Sequence, residues 1–170
     1  MKTKLIFTFC LLSISIISFG QQELNWLKWN WLIGSWKGAR SGKPGEGEGT
    51  FSFELKLGGK VIERISHSEY SAKDNKPSMP HDDMMIIYMD GVSYPNKAIY
   101  FDNEGHAINY SISYFGNDII LTSEKTPTSP VFRLTYTKID DNTINTRFEM
   151  SQDGMKFMIY VEGKSSRVKE

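Results

Sequence analysis

The sequence is poor in cysteine: it contains one, Cys10, which lies inside an apolar run near the N-terminus. If that run is removed as a targeting segment, the remaining chain has no thiol. It then has no disulfide, no thiolate metal ligand and no thiol nucleophile. A chain of this kind depends on its hydrophobic core and its backbone hydrogen bonds for stability.

Neither sign of charge is in excess. Lysine and arginine together number 20, aspartate and glutamate together number 20, and the positive charges form no run. Binding to nucleic acid usually requires a basic patch, and binding to an anionic membrane surface requires a polybasic segment. We therefore expect neither nucleic acid nor a membrane surface as a partner.

The first twenty residues have the features of a secretory signal peptide. Two lysines precede an apolar run over 5–19, and small residues lead to a predicted cleavage before Gln21. The run is shorter than the ~20 apolar residues that a transmembrane helix needs. We predict residues 1–20 as a signal peptide and 21–170 as a single domain, periplasmic or secreted. The mature domain keeps 18 basic and 20 acidic residues, a net charge of −2.

Tryptophan is confined to one short stretch that ends at Trp36. Within it Leu24, Leu27 and Trp31 recur at helical spacing, so the sequence predicts a short helix over 23–32. A helix this short is not stable alone, so its tryptophans must pack on other elements. We predict that the helix closes one end of the core.

After this stretch the pattern changes to short alternating segments separated by turn residues. Phe51, Phe53 and Leu55 share one face of such a segment, and polar residues occupy the other face. Many short strands of this kind are typical of a β-barrel or a β-sandwich. The predicted strands cover about 35–40, 48–57, 60–71, 83–89, 97–102, 106–115, 118–124, 131–139, 143–151 and 155–163.

Several short motifs resemble those of calycin-like barrels, which include nitrobindin-like, lipocalin and fatty-acid-binding proteins. They are Gly34-Ser35-Trp36, Leu57-Gly58-Gly59, the residues from His67 to Tyr70, His81-Asp82-Asp83, and the stretch from Tyr100 to His106. The mature chain as a whole resembles a family of secreted bacterial proteins of unknown function. The resemblance implies a ten-stranded antiparallel up-and-down barrel with a short N-terminal helix closing one end. It implies no activity.

The resemblance also bears on cofactors and ligands. Nitrobindin-like barrels hold haem through a histidine near the C-terminus, and this chain has no histidine after His106. We therefore expect no haem bound in that way, and we predict no cofactor. Fatty-acid-binding relatives hold a carboxylate with arginine and tyrosine on the last strands. Arg133, Arg147 and Tyr160 are of these types, but their spacing does not match.

In an up-and-down meander, every second loop lies at the same rim of the barrel. The predicted loops over 41–47, 72–82, 103–105, 125–130 and 152–154 share one rim, which we call the mouth. Loops at a barrel mouth are a usual place for ligand entry. All three histidines of the sequence fall there, together with several carboxylates. The candidate ligand-binding residues at the mouth are His67, His81, Asp83, Tyr100, Asp102 and His106.

Histidine beside carboxylate allows more than one interpretation. These residues can cap turns and bond to one another, contact a ligand, transfer protons or bind a metal. The sequence has no spacing typical of metal ligands, no serine nucleophile motif and no phosphate-binding glycine loop in a strand-to-helix context. We assign no catalytic residue and no metal ligand.

The hairpin near Asp102 has two possible registers. With a two-residue loop, Asp102 lies opposite Ala107. With a three-residue loop that ends at Gly105 in a left-handed conformation, Asp102 lies opposite His106. A shift of one residue reverses which side chains point inward. We favour the three-residue loop.

The leading functional hypothesis is an exported barrel protein that binds a small apolar or amphipathic molecule in its interior. The middle strands are rich in methionine and tyrosine, which suit an adaptable apolar wall with polar groups. The alternative is a small barrel enzyme, a hydrolase or isomerase that uses histidine and aspartate or glutamate at the mouth. A third possibility is a filled barrel that acts only through partners. A cavity of several hundred Å³ favours the first two hypotheses.

Overall fold

The computed structural model describes residues 25–38, 47–70, 79–127 and 129–169. Ten antiparallel strands form a closed barrel in which each strand pairs with its neighbours in sequence and the last pairs with the first. The predicted all-β up-and-down barrel is therefore confirmed. The predicted signal peptide and residues 23–24 lie outside the described residues. The strands are β1 (Gly34–Gly38), β2 (Gly47–Lys56), β3 (Val61–Tyr70), β4 (Met79–Tyr88), β5 (Lys97–Asp102), β6 (Ala107–Phe115), β7 (Asp118–Ser123), β8 (Val131–Lys138), β9 (Thr143–Ser151) and β10 (Met158–Arg167).

The alternation of side chains along the strands separates an inner wall from an outer wall. On β4, for example, Met85 and Ile87 are fully buried, whereas Met84 and Ile86 between them are only partly buried. Alternate side chains of a strand point to opposite faces of a sheet. The cross-strand register then assigns the inward face of every neighbouring strand, because directly paired residues share a face.

The predicted short N-terminal helix is wrong. Residues 27–32 form consecutive turns, and the described residues contain no helix. The Trp29 N–H donates to the Trp26 carbonyl (2.7 Å) and the Leu32 N–H to the Trp29 carbonyl (2.8 Å). Each of these hydrogen bonds spans three residues, and they do not continue into an α-helical ladder. In so short a segment tertiary contacts outweigh helical spacing.

Those contacts are made by the tryptophans, which fill the end of the barrel opposite the mouth. The indole of Trp26 donates to the Gly59 carbonyl (2.9 Å), and the indole of Trp29 donates to the Tyr114 hydroxyl (2.9 Å). Trp29 is fully buried and packs edge-on against Phe53, with 6.1 Å between ring centroids. The segment 25–33 therefore closes this end as turns; we call it the plug.

Strand β4 begins four residues earlier than predicted, at Met79 rather than at 83. The sequence pattern places Pro80 and His81 in a loop, because proline cannot donate to a central ladder. In the structure this part of β4 pairs with β3 alone, since the pairing with β5 begins at Asp83. Pro80 therefore lies on an edge, where a missing N–H is tolerated.

Strand β10 is displaced toward the C-terminus, to Met158–Arg167 instead of 155–163. The Asp153 carboxylate accepts hydrogen bonds from the N–H groups of Met155 (2.8 Å) and Lys156 (2.9 Å). These bonds hold the chain in a turn, so the strand begins later. Its polar second half closes the barrel by pairing with β1.

Arg167 joins the closure of the barrel to the plug. Its guanidinium donates to the carbonyls of Ile33 (2.7 Å) and Trp31 (2.6 Å) and stacks over the Trp36 ring at 4.3 Å. Gly34 lies beneath it with φ +113°, and a Cβ at that position stands 2.9 Å from the arginine Nη1. Glycine is therefore required at this position by both conformation and space.

Candidate functional site at the mouth of the barrel

A buried ion pair lies on the inner wall. The Arg64 Nη1 donates to Asp83 Oδ1 at 2.5 Å, and the two side chains are 11% and 7% exposed. Arg64 shares the inward face with Ile62 and Ser66 on β3, and Asp83 lies directly opposite Ser66 on β4. A buried charge requires such a partner, because an unpaired charge in a low dielectric is costly.

His81 lies at the centre of a group of acceptors near the same rim. Its Nε2 is 3.0 Å from the Tyr100 hydroxyl and 3.8 Å from Asp83 Oδ2, and its Nδ1 is 3.2 Å from Glu104 Oε1. The Tyr100 hydroxyl in turn donates to Asp102 Oδ2 at 3.3 Å. A polar network therefore extends from the buried Arg64 toward the rim.

The hairpin between β5 and β6 has the three-residue loop, and this prediction is confirmed. The Asp102 N–H donates to the His106 carbonyl, Gly105 has φ +89°, and Phe101 pairs with Ala107. The left-handed conformation explains the glycine. The register places Asp102 opposite His106, and the imidazole Nδ1 lies 2.8 Å from Asp102 Oδ2.

The Asp102 carboxyl is buried and strongly held, whereas the His106 ring is open to solvent. Their side chains are 4% and 60% exposed. Burial favours a higher pKa for Asp102, but hydrogen bonds from the His106 N–H and ring and from the Glu104 N–H lower that pKa overall. The hydrogen bond to Asp102 raises the pKa of His106. Asp102 therefore orients the exposed His106 imidazole, and an imidazole held in this way can accept and donate protons.

His67 is separated from this network. It pairs with Asp82 across β3 and β4, on the outer wall, and its Nδ1 lies 2.6 Å from Asp82 Oδ1. The hydrogen bond to Asp82 raises the pKa of His67. Of the six candidate residues, the structure therefore brings together His81, Asp83, Tyr100, Asp102 and His106, and it places His67 on the opposite face of the sheet.

An aromatic group lies on the mouth half of the inner wall, on strands β8 to β10. Phe132 and Phe148 stack with 5.6 Å between centroids and 13° between planes, and Tyr160 meets Phe148 edge-on at 6.2 Å. A bulge between Ile159 and Val161 leaves Tyr160 without a cross-strand partner and turns it toward the group. We call Phe132, Phe148 and Tyr160 the aromatic wall. Tyr160 is 62% exposed.

Three inward-facing polar residues near the centre of the barrel were absent from the sequence-based candidates. They are Arg64, Tyr136 and Thr146, whose Nε, hydroxyl and Oγ1 atoms are buried without a hydrogen-bond partner among the described residues. Burial raises the pKa of Tyr136 to about 12. The signal was present in the alternation, since Arg64 follows Ile62 and Tyr136 follows Leu134 by two positions, which puts each polar residue on the same face as a buried apolar one.

The two arginines of the residue type that fatty-acid-binding proteins use, Arg133 and Arg147, point to the outside. Arg133 is paired with Glu149 at 2.8 Å and Arg147 with Glu162 at 3.0 Å, both across strands on the outer wall. Phe157 covers Arg133, with 3.8 Å from the guanidinium carbon to the ring centroid. Neither arginine faces the interior of the barrel.

Two surface depressions formed by described residues have volumes of about 170 and 180 Å³. The first lies beside the plug, between Lys28, Tyr114 and Lys138, and the second lies on the outer wall at Lys37 and His67. Both are outside the barrel, and each is smaller than the cavity of several hundred Å³ that would favour an interior ligand. Over the described ranges, no group of three or more histidine, aspartate or glutamate side chains is placed to hold a metal ion.

Comparison with known proteins supports the fold. Twelve solved chains match the structure, among them the crystal structure of Rv2717c from M. tuberculosis, with a TM-score of 0.52 and 15% sequence identity. The match covers 82% of this chain and 94% of that chain. No protein-family model matches the sequence, and no curated protein matches it. In the described part of the chain no helix is long and apolar enough to cross a membrane.

Proposed function

We propose that the chain is an exported, calycin-like barrel protein that binds a small apolar or amphipathic molecule in the mouth half of its interior. The observation that carries the proposal is the contrast between the two ends of the inner wall. Near the plug, side chains such as Trp29 and Phe53 are fully buried. Toward the mouth, Tyr100, Phe132 and Phe148 remain partly exposed although they point inward.

The mouth half combines two kinds of surface that suit an amphipathic ligand. The aromatic wall offers apolar area, and the network around His81 and Tyr100 offers hydrogen-bonding groups at a distance from it. Small-molecule sites typically consist of apolar side chains with a few placed polar groups. A closed barrel holds both surfaces on one scaffold, which limits the cost of ordering the backbone on binding.

Two measurements test this proposal. Native mass spectrometry of protein purified from its own export compartment should show a co-purifying small molecule. In vitro, the uncharged dye Nile red should bind with increased fluorescence, and Phe148→Ala should weaken its affinity about tenfold through lost apolar contact. Phe115→Ala is the control, because Phe115 is 78% exposed at the opposite end. If neither dye nor co-purifying molecule binds, the barrel is filled and the proposal is wrong.

One observation favours a second candidate function, a small barrel hydrolase or isomerase. The exposed His106 ring is oriented by the buried Asp102 at 2.8 Å, as expected of a general base. His106→Gln should then abolish turnover of an activated ester or an isomerisable ketone, while Asn142→Ala at the opposite rim should not. Equal turnover by the two variants would exclude His106 as the base.

A further inference from the structure

Three hydrogen-bond donors converge on the centre of the barrel from three different strands. Tyr136 on β8 and Thr146 on β9 are directly paired, and Phe53, which contacts the Tyr136 ring edge-on at 5.5 Å, is directly paired with Arg64 on β3. The Arg64 Nε, Tyr136 hydroxyl and Thr146 Oγ1 are buried and have no acceptor among the described residues. Tyr136 is fully buried. Buried donors without an acceptor are rare and costly, so they indicate an acceptor from outside the chain.

These donors lie directly above the plug, at what we call the floor of the interior. Tyr136 contacts Phe53 edge-on, with 5.5 Å between centroids, and Phe53 contacts Trp29 of the plug at 6.1 Å. The Arg64 guanidinium is a donor only, and the two hydroxyls can donate as well. A single oxygen atom with two lone pairs can therefore satisfy more than one of them.

The charges near the floor disfavour a negatively charged ligand. Asp83 already neutralises Arg64 at 2.5 Å, and both of these side chains are buried. A ligand carboxylate at the floor would compete with Asp83 for Arg64 and would lie near the Asp83 carboxylate. In a low dielectric, such like-charge contacts are strongly unfavourable.

We propose that the ligand is an uncharged amphiphile, such as an alcohol, ester, ketone or amide, whose oxygen accepts hydrogen bonds at the floor. Its apolar part lies against the aromatic wall. This inference rests on the proposed function, names its ligand class and extends its site from the mouth half to the floor. Reaching the floor requires partly exposed side chains above it, Tyr100 and Phe148 among them, to change rotamer.

The test uses probes with one ten-carbon chain and different head groups: decanol, decanoate and decylammonium, with decane as the apolar reference. Each probe displaces Nile red from the full mature chain. We expect decanol to bind about tenfold more tightly than decanoate or decylammonium. Equal affinity for the three head groups, or tighter binding of decanoate, overturns this inference and leaves the proposed function standing. Failure of every probe to displace bound Nile red also overturns this inference, whereas absence of both Nile red binding and a co-purifying molecule overturns the proposed function as well.

A variant locates the head group. Tyr136→Phe removes one donor and keeps the ring, so it should weaken decanol binding about three- to tenfold and leave decane binding unchanged. Tyr94→Phe is the matched control, because Tyr94 is 49% exposed in the loop at the plug end. If Tyr136→Phe changes decanol and decane affinity equally, or changes neither, the oxygen is not bound at the floor.

Discussion

At the scale of single residues, the histidines show that the strand register determines which face of the sheet a side chain occupies. His67 and His81 lie on adjacent paired strands, yet they belong to opposite faces, because His67 pairs with Asp82 and His81 with Ser68. The sequence placed all three histidines near one rim through the meander order. It did not assign their faces, since one residue of slip inverts a strand. The hairpin at His106 was predictable because Gly105 selects its loop.

Tyr136 provides the prediction at this scale. Its hydroxyl is buried without a partner among the described residues, and such a group costs about 1–3 kcal/mol. We therefore expect Tyr136→Phe to raise the free energy of unfolding by about 1 kcal/mol in the absence of ligand, as measured by urea denaturation. Tyr94→Phe should change it by less than about 0.5 kcal/mol. A loss of stability in Tyr136→Phe would mean that the hydroxyl is satisfied in the unliganded protein.

At the scale of elements, alternation and turn residues predicted all ten strands in order. The predicted strand bounds were wrong where residues with polar side chains extend the backbone hydrogen-bond ladder. The beginning of β4 contains Pro80 and His81, and the end of β10 contains lysine, serines and Arg167. Strand pairing is made by the main chain, so it leaves little hydrophobic signal at a rim. The predicted helix failed for the opposite reason, because tertiary packing of tryptophans determined a segment of only two turns.

Arg167 provides the prediction at this scale, because it ties β10 to the plug. It donates to the carbonyls of Trp31, Ile33 and Asp141 and stacks on Trp36. Arg167→Ala should lower the free energy of unfolding by roughly 2–4 kcal/mol, since charged hydrogen bonds and cation–π stacking are lost together.

Two further variants separate shape from charge at this position. Arg167→Lys keeps the charge but lacks the planar fork, so it should recover less than half of the loss. Lys164→Ala, on an exposed site of the same strand, should change the free energy of unfolding by less than about 0.5 kcal/mol. Wild-type stability in Arg167→Lys would show that charge alone matters.

At the scale of the whole molecule, barrel closure is what gathers the candidate site. Residues distant in sequence, such as Arg64 on β3 and Tyr136 on β8, share the neighbour Phe53 only because ten strands close around one interior. No local pattern carries that information, which is why the floor was not predicted. The signal peptide stays a prediction, and N-terminal sequencing of the folded protein purified from its native host should find Gln21 first.

The carboxyl groups of the whole molecule determine how its stability depends on acid. Hydrogen bonds from the Lys156 and Met155 N–H groups lower the pKa of Asp153 to about 2, and the pKa of Asp102 is also lowered. A group with a lowered folded pKa stabilises the protein above its unfolded value, about 3.9 for aspartate. That contribution is lost as pH falls through the folded pKa. Asp153→Asn should therefore reduce the loss of unfolding free energy that is measured as the pH is lowered.

The histidines determine how the stability of the protein changes as the pH rises. Asp82 raises the pKa of His67 and Asp102 raises that of His106, with Glu69 and Glu104 adding smaller effects. Their contributions are complete below the unfolded value of about 6.5 and fade as pH rises through the raised folded values. Both rings are largely exposed, so the effects are small.

We expect urea midpoints to be highest between about pH 4 and 6.5 and to fall toward pH 8. The double variant His67→Gln/His106→Gln should make that fall smaller. A wild-type midpoint that rises over the same interval would contradict the pairing of both histidines.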